Sequence, residues 1–156
     1  MKKLAVLTLA LIFILSFAAC GTPATKLGTS AFSIVLPAGY ASTADDLLED
    51  QVAYFYKDAD SVDFDVYQWA KGTTYTLKSE AATYAAEYGT TAAPVTVNGI
   101  SGYKYVSLEE YEGVTYTVLN YMFEDDTYIV ELCFWTNASE AEIAVAGEIL
   151  ATLKKN

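Results

Sequence analysis

GYKYVSLEEYEGVTYTVLNYMFEDDTYIVELCFWT, residues 102–136, holds three apolar and aromatic segments separated by two polar breaks, at 109–113 and 124–127. Breaks of four or five polar residues suit hairpin connections and leave no room for a crossover helix, so the stretch reads as a three-stranded antiparallel meander. In its middle segment Tyr116, Val118 and Met122 alternate with Leu119, Tyr121 and Phe123, and both sets are apolar. A strand without a polar face belongs near the centre of a sheet covered on both sides.

Immediately upstream, Val95-Thr96-Val97-Asn98-Gly99-Ile100 is a hairpin signal, because Asn-Gly accepts the positive φ angles of a type I′ turn. Downstream, Ser139 and Glu142 have capping-box spacing before Ile143, Ala146, Gly147, Leu150 and Leu153, an apolar stripe at helical period. Asn137-Ala138-Ser139 also matches a glycosylation sequon, but the helix cap is the better account of it. Lys154 and Lys155 would complement that helix's negative end, and close approach to the sheet would explain Gly147 on the stripe.

Further upstream, residues 77–88 carry Leu77, Ala81, Tyr84, Ala85 and Tyr88 at helical spacing with Gly89 as a C-cap, which predicts a helix. Residues 52–57 and 62–69 read as a hairpin around Asp58-Ala59-Asp60-Ser61. Its register sets Phe55 opposite Phe64 and Ala53 opposite Val66 on an apolar face, and Tyr56 opposite Asp63 and Tyr54 opposite Asp65 on the other. Residues 45–50 form an acidic loop or a single helical turn. In residues 31–41 Phe32, Ile34 and Leu36 alternate with Ser33 and Val35 before Pro37 ends a strand. Residues 21–30, GTPATKLGTS, have the composition of a flexible tether, so order is expected from about Ala31.

Residues 1–19 combine two lysines, an apolar run and small residues, the three regions of a secretory signal peptide too short for a stable span. Phe17-Ala18-Ala19-Cys20 resembles the lipobox of bacterial lipoproteins, with Phe17 where the pattern prefers leucine. That resemblance implies cleavage before Cys20 and acylation of its thiol, palmitate being one such chain. Two or more acyl chains give stable anchoring. The alternative is an ordinary secreted protein cut near Ala19. The expected organisation is thus signal peptide 1–19, lipidated Cys20 with tether 20–30, and one α+β domain 31–156, lipid-anchored on the extracytoplasmic face of the cell membrane.

With nine lysines, no arginine and 20 acidic residues the chain has net charge −11, and loss of Lys2 and Lys3 with the leader would leave −13. Such a chain repels nucleic acid and anionic head groups. Cys133, alone once Cys20 is lipidated, is expected to be a free, half-buried thiol.

The opening strand FSIVLPAGY, a hairpin, a helix, the Asn98-Gly99 turn into a meander and a closing helix together resemble the Mog1/PsbP-like family. Residues 32–40 and 98–105 carry the specific part of the likeness. The family includes the photosystem protein PsbP and the DcrB-like bacterial lipoproteins, and it implies an antiparallel β-sheet sandwiched by helices. Its members act in unrelated ways, as photosystem subunits, nuclear-transport factors or surface lipoproteins. The resemblance therefore carries over no functional residue.

The chain has no histidine, which removes Ser-His and Cys-His nucleophile pairs, histidine zinc sites and the usual neutral-pH base. No Gly-rich phosphate loop is present, and no cofactor or enzymatic activity is expected. Asp58, Asp60, Asp63 and Asp65 are the densest oxygen ligands, a calcium candidate that lacks the EF-hand spacing and glycine. The plainer reading is a solvated hairpin tip. Tyr54, Tyr56, Tyr67 and Trp69 share a strand face with Asp63 and Asp65, as a ligand platform would, or simply pack under the first helix. Two functions follow: a protein-interaction or accessory module of the cell envelope, or a small-ligand or glycan binder using the aromatic and acidic face. A concave aromatic cleft would favour the second, and a flat apolar patch the first.

Overall fold

The computed structural model describes residues 23–43, 47–57 and 62–156. Among them are ten strands, β1 (Thr25–Lys26), β2 (Phe32–Ile34), β3 (Ala41–Thr43), β4 (Gln51–Tyr56), β5 (Asp63–Ala70), β6 (Ala93–Val97), β7 (Ile100–Tyr111), β8 (Val114–Glu124), β9 (Tyr128–Thr136) and β10 (Lys154–Lys155). Two helices, α1 (Leu77–Glu87) and α2 (Glu140–Leu150), complete them. Seven strands form one antiparallel sheet in the order β3-β4-β5-β9-β8-β7-β6, and β1-β2-β10 form a second. Among the described residues no helix is long and apolar enough to cross a membrane.

The meander is β7, β8 and β9, each hydrogen-bonded to the next. Its first turn is shorter than the polar break suggests. Glu109 and Glu110 pair with Tyr116 and Thr115, leaving Glu112 and Gly113 alone in the turn with φ of 50° and 80°. Asn98 and Gly99 adopt the same pair of angles, the mirror-image geometry that matches strand twist. β8 lies near the centre of the sheet, beside the middle strand β9, in which Ile129 to Phe134 are all buried. Gly102 is required where β7 crosses β8, because a Cβ there would run into the Met122 carbonyl and the Phe123 ring.

Strand alternation divides the large sheet into two faces. On one, Phe55, Phe64 and Phe134 stack across β4, β5 and β9 at centroid spacings of 4.8 and 4.9 Å. This cluster includes Phe123, Val130 and Leu132, with Phe32 and Ile34 from the small sheet, Leu27 just after β1, and Ala146, Ile149 and Leu150 from α2. On the other, Leu77, Ala81 and Ala85 of α1 pack with Tyr105, Met122 and Ile129. An 11-residue helix is about 16 Å long, whereas seven strands span about 29 Å, so α1 covers only part of its face.

Several expectations need correction. Order begins before Ala31: Thr25 and Lys26 pair with Ile34 and Ser33, and Leu27 is fully buried. Gly28, at φ 58°, reverses the chain, and Gln68 Oε1 accepts from the amides of Thr29 and Ser30. Polar composition concealed a small hairpin. Ser33 is also buried, because β2 lies between β1 and β10. Lys154 and Lys155 do not end a helix. The helix stops at Leu150 and both lysines pair with β2. A Cβ at Gly147 would meet nothing within 4 Å, so close packing does not account for that glycine. Ser139 caps α2 by accepting from the Glu142 amide, but the Glu142 carboxylate turns to the Asn137 amide instead of closing the box. The signal peptide, Cys20, the turn residues Asp58 and Asp60, and residues 44–46 of the acidic loop lie outside the described residues.

Candidate functional site

The part of the sheet that α1 leaves uncovered forms two adjoining hollows. The first, of about 300 Å³, is lined by Asp65, Tyr67 and Trp69 of β5, Tyr84 of α1 and Tyr88 at its C-cap, and Tyr105 and Glu109 of β7. Val118 and Asn120 of β8, Glu131, Cys133 and Trp135 of β9, and Glu49 and Asp50 complete it. The second, of about 320 Å³, is bounded by Tyr54, Asp63, Asp65, Tyr111, Tyr116 and Trp135. Asp65 and Trp135 belong to both.

Register builds the floor. Asp65 pairs with Cys133 and Tyr67 with Glu131 across β5 and β9, while Asn120 pairs with Cys133 across β8 and β9. Asp65 is 6% exposed and accepts from Trp135 Nε1 at 2.6 Å and from Gln51 Nε2. Burial pushes its carboxyl above the usual range, and these two donors act against the rise. Glu131 is 5% exposed, accepts from the Tyr105 hydroxyl at 2.6 Å, and is pushed by burial up to about 7. Burial together with the charge of Glu131 raises the Tyr105 phenol, which keeps it a donor. Burial, reinforced by Glu131 and Asp65, also raises the Cys133 thiol. Such a thiol stays protonated and unreactive.

The walls are aromatic. Trp69 meets Tyr84 at 5.6 Å, Tyr88 stacks on Tyr105 at 6.1 Å, and Tyr116 meets Trp135 edge-on at 5.7 Å. Burial raises the Tyr67 phenol too, and it lifts Tyr88 to about 12. No lysine lines either hollow. Among the described residues the one ion pair is Lys71 with Glu124, at 3.1 Å, and neither residue lines a hollow.

Three of the four pairs expected for the first hairpin are present: Phe55 pairs with Phe64, Ala53 with Val66 and Tyr54 with Asp65. Of the residues singled out from sequence, Tyr67 and Trp69 line the first hollow, Tyr54 and Asp63 the second, and Asp65 both. Tyr56 lines neither; it stacks on Tyr54 at 5.6 Å and is 39% exposed. Trp69 packs under the helix, through Tyr84, as the packing reading expects for that residue. Asp63 accepts from the Tyr54 hydroxyl at 2.6 Å. With Asp65 also engaged, these two carboxylates do not form an open ligand set, and the described residues contain no group of three metal-ligating side chains. Sequence reasoning missed Glu131, Trp135, Tyr105, Tyr84 and Tyr88. One signal was available: Glu131 is a lone acid inside the apolar run of β9. Cys133 is free but buried, deeper than expected.

No protein-family model matches the chain, and no curated protein does. Several solved structures share its fold, two of them as follows. The solution structure of cyanobacterial PsbP (CyanoP) from Synechocystis sp. PCC 6803 is similar with a TM-score of 0.62 and 7% identity, covering 88% of this chain and 96% of that one. A crystal structure from Bacteroides thetaiotaomicron VPI-5482 is similar with a TM-score of 0.59 and 19% identity over 84% of this chain. The chain spans about half, 49%, of that protein. The architecture is thus a PsbP-like α+β fold, with two antiparallel sheets and two helices among the described residues.

Proposed function

We propose that this chain is a DcrB-like lipoprotein, tethered by lipid on Cys20 to the extracytoplasmic face of the membrane, with its sheet between helices. Its task is to bind a small ligand without catalysis. The observation that supports ligand binding over the accessory-module reading is the concave aromatic hollow above Asp65 and Glu131. Stacking rings and a few convergent polar groups are the usual make-up of a small-molecule site. The accessory reading draws on Val106 and Leu108, exposed on one face of β7, but two side chains make a small patch.

The chain's two tryptophans both line the first hollow, so intrinsic fluorescence reports on it directly. Titration of the full chain with sugars, amino acids and amines should give a saturable change for at least one class, weakened at least tenfold by Tyr67→Ala. No response to any class would remove the ligand reading. The anchor is tested separately. Cys20→Ser should leave the membrane fraction after a carbonate wash, and a variant that stays bound is not anchored through Cys20.

A further inference from the structure

We propose that the ligand of this cleft is a small organic cation, an amine or quaternary ammonium, whose charged head lies over Glu131 and Asp65 against the rings of Tyr67 and Trp135. The inference rests on the binding-cleft reading and adds the ligand's charge to it. Five acids line the first hollow and no base does. Glu131 and Asp65 are both more than nine-tenths buried, and neither has a cationic partner among the described residues.

A buried carboxylate without a counter-charge is costly, and a bound cation removes that cost. Above about pH 7, where Glu131 too is ionised, an anion would be repelled by these acids and a neutral sugar would leave both charges uncompensated. Position also suits a compact head group. Asp65 is registered on Cys133, which makes Glu131 its diagonal neighbour across the strands at about 7 to 8 Å. Aromatic faces at the same place attract a cation through their quadrupoles, an effect that grows when the site is desolvated.

A metal ion fits less well. Asp65 already accepts from Gln51 and Trp135, and Glu131 from Tyr105, so a metal would displace donors, whereas an ammonium can share the remaining lone pairs. The described residues supply no third ligand.

The test uses the purified full chain in a non-ionic detergent at pH 8, followed by tryptophan fluorescence. The probes are choline, ethanolamine and spermidine, set against 3,3-dimethylbutan-1-ol, the uncharged isostere of choline, and glucose. At least one cation should bind ten or more times more tightly than either neutral probe. Glu131→Gln, which keeps an acceptor for Tyr105, should weaken that cation at least tenfold and narrow its advantage over the neutral probes. Equal binding of choline and the alcohol, or preference for glucose, would overturn the cation while sparing the binding cleft. Silence from all five probes would overturn the cation and count against the cleft as well. The comparison of probes on the unmutated chain stands even if the variant fails to fold.

Discussion

Glu131 sets the pH behaviour of the fold. Its carboxyl moves from an ordinary 4.5 to about 7 on burial, so between those values the folded chain holds a proton that the unfolded chain has released. Stability therefore falls as pH climbs from about 4.5 to 7 and levels above, by roughly 3 kcal/mol in all. Asp65, also raised, acts in the same direction. Asp125 acts oppositely. Burial pushes its carboxyl up, but the amides of Ala31, Tyr128 and Thr127 and the charge of Lys155 outweigh that and hold it below 3.8. Its contribution is present above that value and is lost below it. The melting temperature should thus peak near pH 4 to 5 and decline toward pH 7, and Glu131→Gln should raise it at pH 7.5 and flatten the decline. A wild-type melting temperature that falls from pH 7 to pH 5 would contradict this. Gly147, exposed in α2 with open space where a Cβ would go, gives a second residue-scale prediction. Gly147→Ala should stabilise by about 0.5 to 1 kcal/mol in denaturant melts, the ordinary helix-propensity difference, and a loss would mean that the glycine has a packing role.

At the scale of elements, what was legible followed from periodicity. The meander, the Asn98-Gly99 hairpin and both helices have enough residues to display a period of 2 or 3.6. Strands of two or three residues do not, so β1, β3 and β10 leave no periodic signal, and β2 shows only because its alternation runs on to Leu36. The site divides in the same way. Tyr54, Asp65, Tyr67 and Trp69 lie on one hairpin, whose register a turn length fixes, whereas Tyr84, Tyr105, Glu131 and Trp135 come from α1, β7 and β9 and meet only through tertiary packing. Two substitutions test the elements concerned. Leu150→Ala should cost about 2 to 4 kcal/mol, since α2 seats this leucine in the larger core. Leu27→Ala should cost a similar amount, about 2 to 5 kcal/mol, where a true tether residue would cost nothing. Chemical denaturation measures both, and a loss below about 1 kcal/mol at Leu27 would return β1 to the tether.

For the whole molecule, a net charge of −11 meets one ion pair among the described residues, so added salt should raise the melting temperature by screening repulsion. The PsbP-like fold organises this charge: one sheet face is filled by phenylalanines, α2 and the small sheet, and the other, incompletely roofed by α1, gathers tyrosines over buried acids. That second face is a cleft whose floor carries carboxylates without a counter-charge among the described residues. The most direct measurement is a titration of the Glu131 side-chain carboxyl by carbon NMR in the full chain, with and without the tightest-binding cation. The account expects a midpoint close to 7 in the free protein, displaced downward when the cation saturates the cleft. A midpoint near 4.5 in the free protein would show that Glu131 is already solvated or paired, and would contradict it.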